Sequence, residues 1–184
     1  MPMIPAGYLY KSVVTKPDWL ESDRIKAIYS LSGCVSEDFC DWIDHWKHNG
    51  YWLFDSPDVM EALAAANGID LKGMTLFFYR VYHRQWNQQT GSWESFQPEA
   101  SLPTQVKLPE RAVAAGYDVT SFSTQNAAEC SPLSCNLMAQ EITVNKYCLL
   151  SSLEAAKRLI ESGTFAQCEP GPYRIVEVCR IEKI

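Results

Sequence analysis

Hydrophobic and polar positions in the first part of the chain change between the period of a strand and the period of a helix. Residues 8–14 alternate and are rich in aromatic and β-branched side chains, which predicts a first strand that ends at Lys16-Pro17. Residues 23–31 predict a short helix. A second helix is expected over 36–48, because apolar side chains recur there at helical spacing behind an N-cap serine.

The strongest helix signals come next. Ser56 is a suitable N-cap, Pro57 suits the first helical position, and Asn67-Gly68 is a typical helix end. Residues 74–86 predict a long strand, which a turn joins to a partner strand at 93–96. The sequence therefore predicts a helix followed by a β-hairpin.

The second half of the chain predicts a similar order of elements. Ser151 and Glu154 have the spacing of a capping box at the start of a helix. Residues 97–110 contain three prolines and are expected to form the loop between the halves. The predicted elements are a strand at 116–124, a short helix at 131–139, a helix that ends at Gly163 and a strand at 173–181.

The two halves also share a sequence pattern. Asn49-x-Tyr51-x-Leu53 is repeated as Asn145-x-Tyr147-x-Leu149, and each copy precedes a predicted helix. We therefore expect an α+β fold with two similar strand-helix-helix-strand halves, about 8–86 and 116–184, packed as one compact domain with a mixed or antiparallel sheet. A cleft between the halves is then the expected place for a ligand.

Composition and charge restrict the function further. The 184 residues carry a net charge of -6 without a basic run, which argues against nucleic acid as a partner. The chain shows no secretory signal, and none of its apolar runs approaches the roughly 18 residues of a membrane span. We expect a cytoplasmic protein with reduced cysteines whose partner is a protein or a small molecule.

Cys130, Cys135 and Asn136 form the densest group of reactive side chains. The helix predicted to begin at Ser131-Pro132 would stabilise a thiolate at Cys130 through its unpaired backbone N–H groups. Asn136 could orient that thiol, which would suit a thiol-dependent enzyme or a redox sensor. The favoured alternative is structural: Cys135 packs in the core and Asn136 braces a turn, because buried cysteine is common.

Two further groups of residues carry possible metal ligands. Asp41, His45 and His48 would share one side of the helix predicted at 36–48, where a solvated polar surface is the favoured interpretation. The second group is Cys34, Cys40, Cys130 and Cys135. The spacings between these cysteines are longer than in most structural zinc sites, so packing in the core is favoured. Neither a metal nor another cofactor is expected.

Two sets of side chains are candidate ligand contacts. The first would share one face of the strand at 74–86 and could bind an anion, although arginines paired with carboxylates are the favoured alternative. The second is held by a stiff turn that contains two prolines. The first set is Arg80, Tyr82 and Arg84, and the second is Glu169, Tyr173 and Arg174.

The segments 129–136, which reads ECSPLSCN, and 169–175, which reads EPGPYRI, resemble a family of uncharacterised bacterial proteins. This resemblance implies no activity and no catalytic residues, and none of the common enzyme motifs occurs in the chain. The preferred interpretation is a binding or accessory protein that recognises a protein or a small ligand through the cleft. A thiol-dependent enzyme or redox sensor at Cys130 or Cys135 is the alternative.

Overall fold

The computed structural model describes residues 3–35, 49–96, 104–122 and 130–182. The fold is α+β, with two α-helices and antiparallel strand pairing in the part of the chain just defined. None of the helices within those ranges is long and apolar enough to cross a membrane. The strands are β1 (Met3–Lys11), β2 (Val14–Thr15), β3 (Ala27–Ile28), β4 (Thr75–Asn87), β5 (Ser92–Ser95), β6 (Ala112–Ser121) and β7 (Tyr173–Ile181), and the helices are α1 (Pro57–Asn67) and α2 (Leu153–Glu161).

The main sheet has the strand order β1-β4-β7-β6, and β5 extends β4 as a hairpin. The first half of the chain supplies β1 and β4, and the second half supplies β7 and β6. Tyr79 lies opposite Val178 in the middle of the β4–β7 pair. The two halves are therefore joined along β4 and β7 by main-chain hydrogen bonds.

The two faces of the sheet are covered by different parts of the chain. Tyr10 of β1 donates a hydrogen bond to Glu61 of α1 at 2.8 Å, so α1 covers the face that carries Tyr10. Phe77 of β4 faces the other way and packs on Tyr29, whose ring stacks on Tyr147 at 4.2 Å between centroids. Loops around residues 29 and 147 therefore cover the opposite face.

The predictions with strong local signals are confirmed. The helix after Ser56 begins at Pro57, the β4–β5 hairpin forms, and the last strand occupies 173–181. The helix predicted at 36–48, with Asp41, His45 and His48, lies outside the described residues.

Two predicted helices are wrong. Residues 23–31 form turns and β3. The N–H groups of Lys26 and Ala27 donate to the Lys146 carbonyl, and not to carbonyls four residues earlier as they would in a helix. In the 131–139 segment the chain makes turns and only a short 3-10 helix at Met138–Gln140. Leu137 has a φ of 60°, which interrupts any continuous right-handed helix there.

Asn49 ties the loop before α1 to β1. Its Nδ2 donates to the Ala6 carbonyl at 2.7 Å, and its Oδ1 accepts from the N–H groups of Tyr51 and Leu53 at 3.1 and 3.3 Å. Gly7 allows this close approach, because a Cβ there would lie 2.8 Å from the Leu53 Cβ. A buried amide thus satisfies three backbone groups at once.

Asn145 ties the loop before α2 to β6 with the same set of bonds. Its Nδ2 donates to the Ala115 carbonyl at 2.7 Å, and its Oδ1 accepts from the N–H groups of Tyr147 and Leu149 at 2.8 and 3.2 Å. Gly116 again provides the space, since a Cβ there would lie 2.8 Å from the Leu149 Cβ. Both glycines also sit at an irregularity in their strands.

The helix caps differ between α1 and α2, which leads to a prediction. Ser152, and not Ser151, is the N-cap of α2, and its Oγ accepts from the Ala155 N–H at 3.1 Å, whereas the Ser56 side chain makes no capping bond to the described residues. We expect Ser152→Ala to lower the free energy of unfolding by about 1 kcal/mol and Ser56→Ala by only a few tenths. Urea unfolding of both variants measures this, and equal losses would contradict it.

Candidate functional site: a cluster of three thiols

Three cysteines from distant parts of the chain meet at one place. The Sγ atoms of Cys34, Cys130 and Cys135 all lie within 4.8 Å of one another. Cys130 is 7% exposed, Cys135 is partly buried and Cys34 is exposed. We call these three residues the thiol cluster. It has an open side at Cys34 and an enclosed side at Cys130.

A buried carboxylate joins the two loops that carry the thiols. Asp118 of β6 accepts hydrogen bonds from the Ser30 hydroxyl at 2.7 Å and the Leu31 N–H at 3.0 Å with Oδ2, and from the Ser131 hydroxyl at 2.6 Å with Oδ1. Burial raises the pKa of Asp118 to about 6. One side chain of the sheet therefore positions the loop of Cys34 relative to the loop of Cys130 and Cys135.

A buried lysine fixes the loop of Cys34 from a second direction. Lys11 of β1 is 1% exposed, and its Nζ donates to the carbonyls of Ser30, Leu31 and Ser32 at 2.9, 2.7 and 2.7 Å. The Ser32 hydroxyl then accepts from the Cys34 N–H at 3.1 Å. The ammonium group thus orders the three residues that lead to Cys34.

The sequence-based search missed Lys11 and Asp118. A usable signal was present, because each is an ionisable residue inside a segment predicted to be a strand, at 8–14 and 116–124. Such residues are rarely buried unless their polar atoms are fully engaged. Both are in fact buried and hydrogen-bonded.

The three thiols do not share the same protonation preference. The neighbouring Cys130 thiol lowers the pKa of Cys135 to about 5, and the Ser131 N–H, whose nitrogen is 3.4 Å from the Cys135 Sγ, acts in the same direction. The same interaction with Cys135, together with burial, raises the pKa of Cys130. Burial also raises the pKa of Cys34. Within the cluster the thiolate form is therefore favoured at Cys135 and disfavoured at Cys130 and Cys34.

The helix that the sequence predicts beside Cys130 does not form, while Asn136 lies against the Cys130 thiol. Since the 131–139 segment forms turns, a helix N-terminus does not stabilise a thiolate at Cys130. Cys135 is the thiol whose pKa is lowered, and it is partly buried, whereas the favoured alternative places it in the core. Asn136 does contact a thiol, because its Oδ1 accepts from the Cys130 Sγ at 3.7 Å.

The cluster also has the donor atoms that thiophilic metal ions prefer. A structural zinc site takes four ligands, and the thiol cluster supplies three among the described residues, while Cys40 lies outside them. Core packing was the prediction for this set of cysteines. That prediction is wrong for Cys34, which is exposed, and correct for Cys130.

Arg80, Tyr82 and Arg84 do not form one ligand-binding surface. Arg80 makes a salt bridge with Glu177, while Arg84 is exposed. Tyr82 is only 3% exposed and packs edge-on against Trp93. The expectation of a shared exposed face is therefore wrong for Tyr82, because the β5 hairpin covers its side of β4.

Glu169, Tyr173 and Arg174 also separate in space. The Tyr173 hydroxyl donates to the carbonyls of Glu169 and Phe165 at 2.6 and 3.1 Å, and the Glu169 side chain is exposed. Arg174 follows Tyr173 in β7 and so points to the other face of the sheet, where it is 4% exposed. Tyr173 fixes the turn before β7, and Arg174 belongs to a different environment.

The segments behind the predicted family resemblance now have structural positions. Residues 130–135 carry two members of the thiol cluster, and 169–172 form the turn that Tyr173 fixes. Whether a family shares these features stays a prediction. No protein-family model, curated protein or solved structure matches this chain.

Proposed function

We propose that this protein is a redox sensor in which Cys135 and Cys130 are oxidised reversibly to a disulfide by a hydroperoxide. The observation that carries this proposal is the position of three sulfur atoms within 4.8 Å of one another. One of the three cysteines, Cys34, is exposed to solvent. The acidic pKa of Cys135 gives additional support. A thiolate with a neighbouring thiol is the usual arrangement of a peroxide-sensing cysteine and its resolving partner.

The reaction proceeds in two steps. The Cys135 thiolate attacks one peroxide oxygen and the O–O bond breaks, which forms a sulfenic acid at Cys135. The alkoxide or hydroxide that leaves takes a proton from water. Cys130 then loses its proton and its sulfur attacks the Cys135 sulfur. The S–S bond forms, and the sulfenic hydroxide leaves as water with that proton. Two electrons pass from the two thiols to the hydroperoxide, and a dithiol reductant reverses the reaction.

The residues around the thiol cluster have separate roles in this proposal. The Ser131 N–H holds the Cys135 sulfur as a thiolate, and Asn136 orients the Cys130 thiol. Asp118 keeps the two loops together during the exchange of bonds. Cys34 lies on the exposed side, where the hydroperoxide reaches Cys135.

The pH dependence of alkylation tests the proposed state of Cys135. Because only the thiolate reacts, labelling of Cys135 by iodoacetamide should rise with pH through about 5 and stay constant above it. Cys168, whose pKa is raised, should instead react only above the usual range of about 8.5. Mass spectrometry of the labelled peptides measures both residues in one sample. If Cys135 labels only at alkaline pH, it is not the thiolate that the proposal requires.

The thiol cluster has more support than a ligand cleft between the halves. At the junction of the halves, β4 and β7 are hydrogen-bonded to each other, and Arg80 is already engaged by Glu177. A ligand that contacted Arg80 there would have to compete with this salt bridge. The redox proposal needs no such rearrangement, because the sulfur atoms already lie together.

We also infer that the two halves arose by internal duplication. Each half contributes a strand, an asparagine-stabilised loop, a capped helix and a second strand in that order. The bonds of Asn49 and Asn145 correspond one to one, and the glycine that each approaches has a φ near +140°. The order β1-β4-β7-β6 is the order that a two-fold axis between β4 and β7 would produce. These correspondences extend well beyond the shared sequence pattern.

A further inference from the structure

Arg174 is a buried cation held between two aromatic rings. Its Cζ lies 3.2 Å from the centroid of the Phe96 ring and 4.0 Å from that of Phe122. The side chain is on β7 and the residue is 4% exposed. Both ring centroids are within the distance of a cation–π interaction with the guanidinium group, which stabilises its positive charge.

The donors of Arg174 are largely unused. Its Nη2 donates one long hydrogen bond to Gln85 at 3.4 Å, and its Nε is buried without a hydrogen-bond partner. No salt bridge between described residues includes Arg174. Burial lowers its pKa to about 10, so it is still charged at neutral pH. A buried charge without an opposite charge is rare, since desolvation makes it costly.

Two other unused polar atoms lie on strands next to Arg174. Thr120 of β6 is directly opposite Arg174, and its Oγ1 is buried without a partner. On the other side of β7, Gln85 of β4 is opposite Arg174. His83 lies in the irregular stretch of β4 just before Gln85, and its Nδ1 is also buried without a partner. Buried polar atoms are nearly always hydrogen-bonded, so these three on adjacent strands are available to a ligand or to water.

We propose that the edge of the Arg174 guanidinium group, together with Thr120 and His83, binds the carboxylate of a small organic acid. We call these three residues the Arg174 site. A carboxylate matches the forked N–H donors of arginine, and its single negative charge balances the single buried positive charge. The Thr120 hydroxyl supplies a further donor to the same group.

The surroundings also indicate how the acid would lie. Thr120 and Phe122 are enclosed, whereas Phe96 and Tyr51 are only partly buried and meet edge-on at 5.9 Å between centroids. The open side of the Arg174 site therefore faces Phe96 and Tyr51. An apolar or aromatic remainder of the acid would contact these rings, so benzoate should bind better than acetate.

Calorimetry and thermal unfolding with sodium benzoate and sodium acetate test this site in the whole protein. At equal ionic strength, both salts should raise the unfolding midpoint above that in sodium chloride, with benzoate binding once per chain. Arg174→Gln should weaken benzoate binding by about tenfold or more, since a charged hydrogen bond is lost. The matched control, Arg80→Gln, removes an arginine engaged by Glu177 and should leave benzoate affinity unchanged.

Thr120→Val keeps the test decisive if Arg174→Gln does not fold. Valine has the shape of threonine without the hydroxyl, so the unliganded variant should fold normally while benzoate affinity falls several-fold. The proposal is overturned if neither carboxylate raises the midpoint beyond chloride, or if both variants bind benzoate like the wild type. A response to inorganic phosphate without a response to either carboxylate would also overturn it.

Discussion

Replacement of Cys135 by serine should abolish the formation of a disulfide in protein treated with hydrogen peroxide. The reason is that the only low-pKa sulfur of the thiol cluster is lost, and a serine hydroxyl is not ionised at neutral pH. Peptide mapping under non-reducing conditions should find the Cys130–Cys135 bond in the wild type and no bond in Cys135→Ser. This change in reactivity is the largest functional effect that we expect.

Two companion variants separate the roles of the other thiols. When Cys130→Ser is combined with Cys34→Ser, the Cys135 sulfenic acid should persist and be trapped by dimedone, because neither neighbouring sulfur is left to resolve it. Cys34→Ser is the matched control and should still form the Cys130–Cys135 bond. A Cys34–Cys135 bond in the wild type would contradict the assignment of Cys130.

Metal binding is the competing use of the same sulfur atoms. If one equivalent of zinc protects all three thiols from iodoacetamide, and peroxide forms no disulfide after the zinc is chelated, the cluster is a metal site and not a redox sensor.

Replacement of Gly7 or Gly116 by alanine should be the most destabilising small substitution in the sheet. A Cβ at Gly7 would lie 2.6 Å from the Phe54 carbonyl oxygen, and a Cβ at Gly116 would lie 2.8 Å from the Leu150 carbonyl oxygen. Their φ angles of +135° and +146° are also unfavourable for alanine. Each variant should lose about 2–5 kcal/mol of unfolding free energy, from strain and overpacking together.

Gly91 provides the control for the backbone effect alone. Its φ is +61°, and a Cβ there would meet nothing within 4 Å, so Gly91→Ala should cost only about 1–2 kcal/mol. Urea unfolding of the three variants measures the difference. If Gly7→Ala and Gly116→Ala cost no more than Gly91→Ala, the close packing around Asn49 and Asn145 is not a major source of stability.

Elements with complete local signals were predictable. Pro57 and Gly68 mark the ends of α1, and the β-branched side chains in residues 173–181 favour β7, because capping preferences and strand propensity act over a few neighbouring residues. The helix predicted at 23–31 is wrong for the opposite reason. The backbone N–H groups of Lys26, Ala27 and Tyr29 donate to Lys146 and Tyr147, which are more than 100 residues away and leave no mark on the local pattern.

The same division between local and distant information applies to the two candidate sites. Local sequence was sufficient to single out Cys130, Cys135 and Asn136, since a pair of thiols within one short segment is visible without a structure. It could not add Cys34 or indicate which sulfur carries the charge, because Asp118 brings the two loops together and Ser131 stabilises one thiolate. The bond between Asp118 and Ser30 joins residues 88 positions apart, so no local pattern records it.

The prediction for Arg174 shows the same limit of local sequence information. Its position in a strand beside a stiff turn was apparent from the sequence, and it was a candidate ligand contact for that reason. Its unpaired charge was not apparent, since that depends on the packing of Phe96 and Phe122 against the guanidinium group and on the absence of a carboxylate among its described neighbours. Alternation and capping decide where strands and helices form, but the partners of a buried charge depend on which distant segments the sheet brings together.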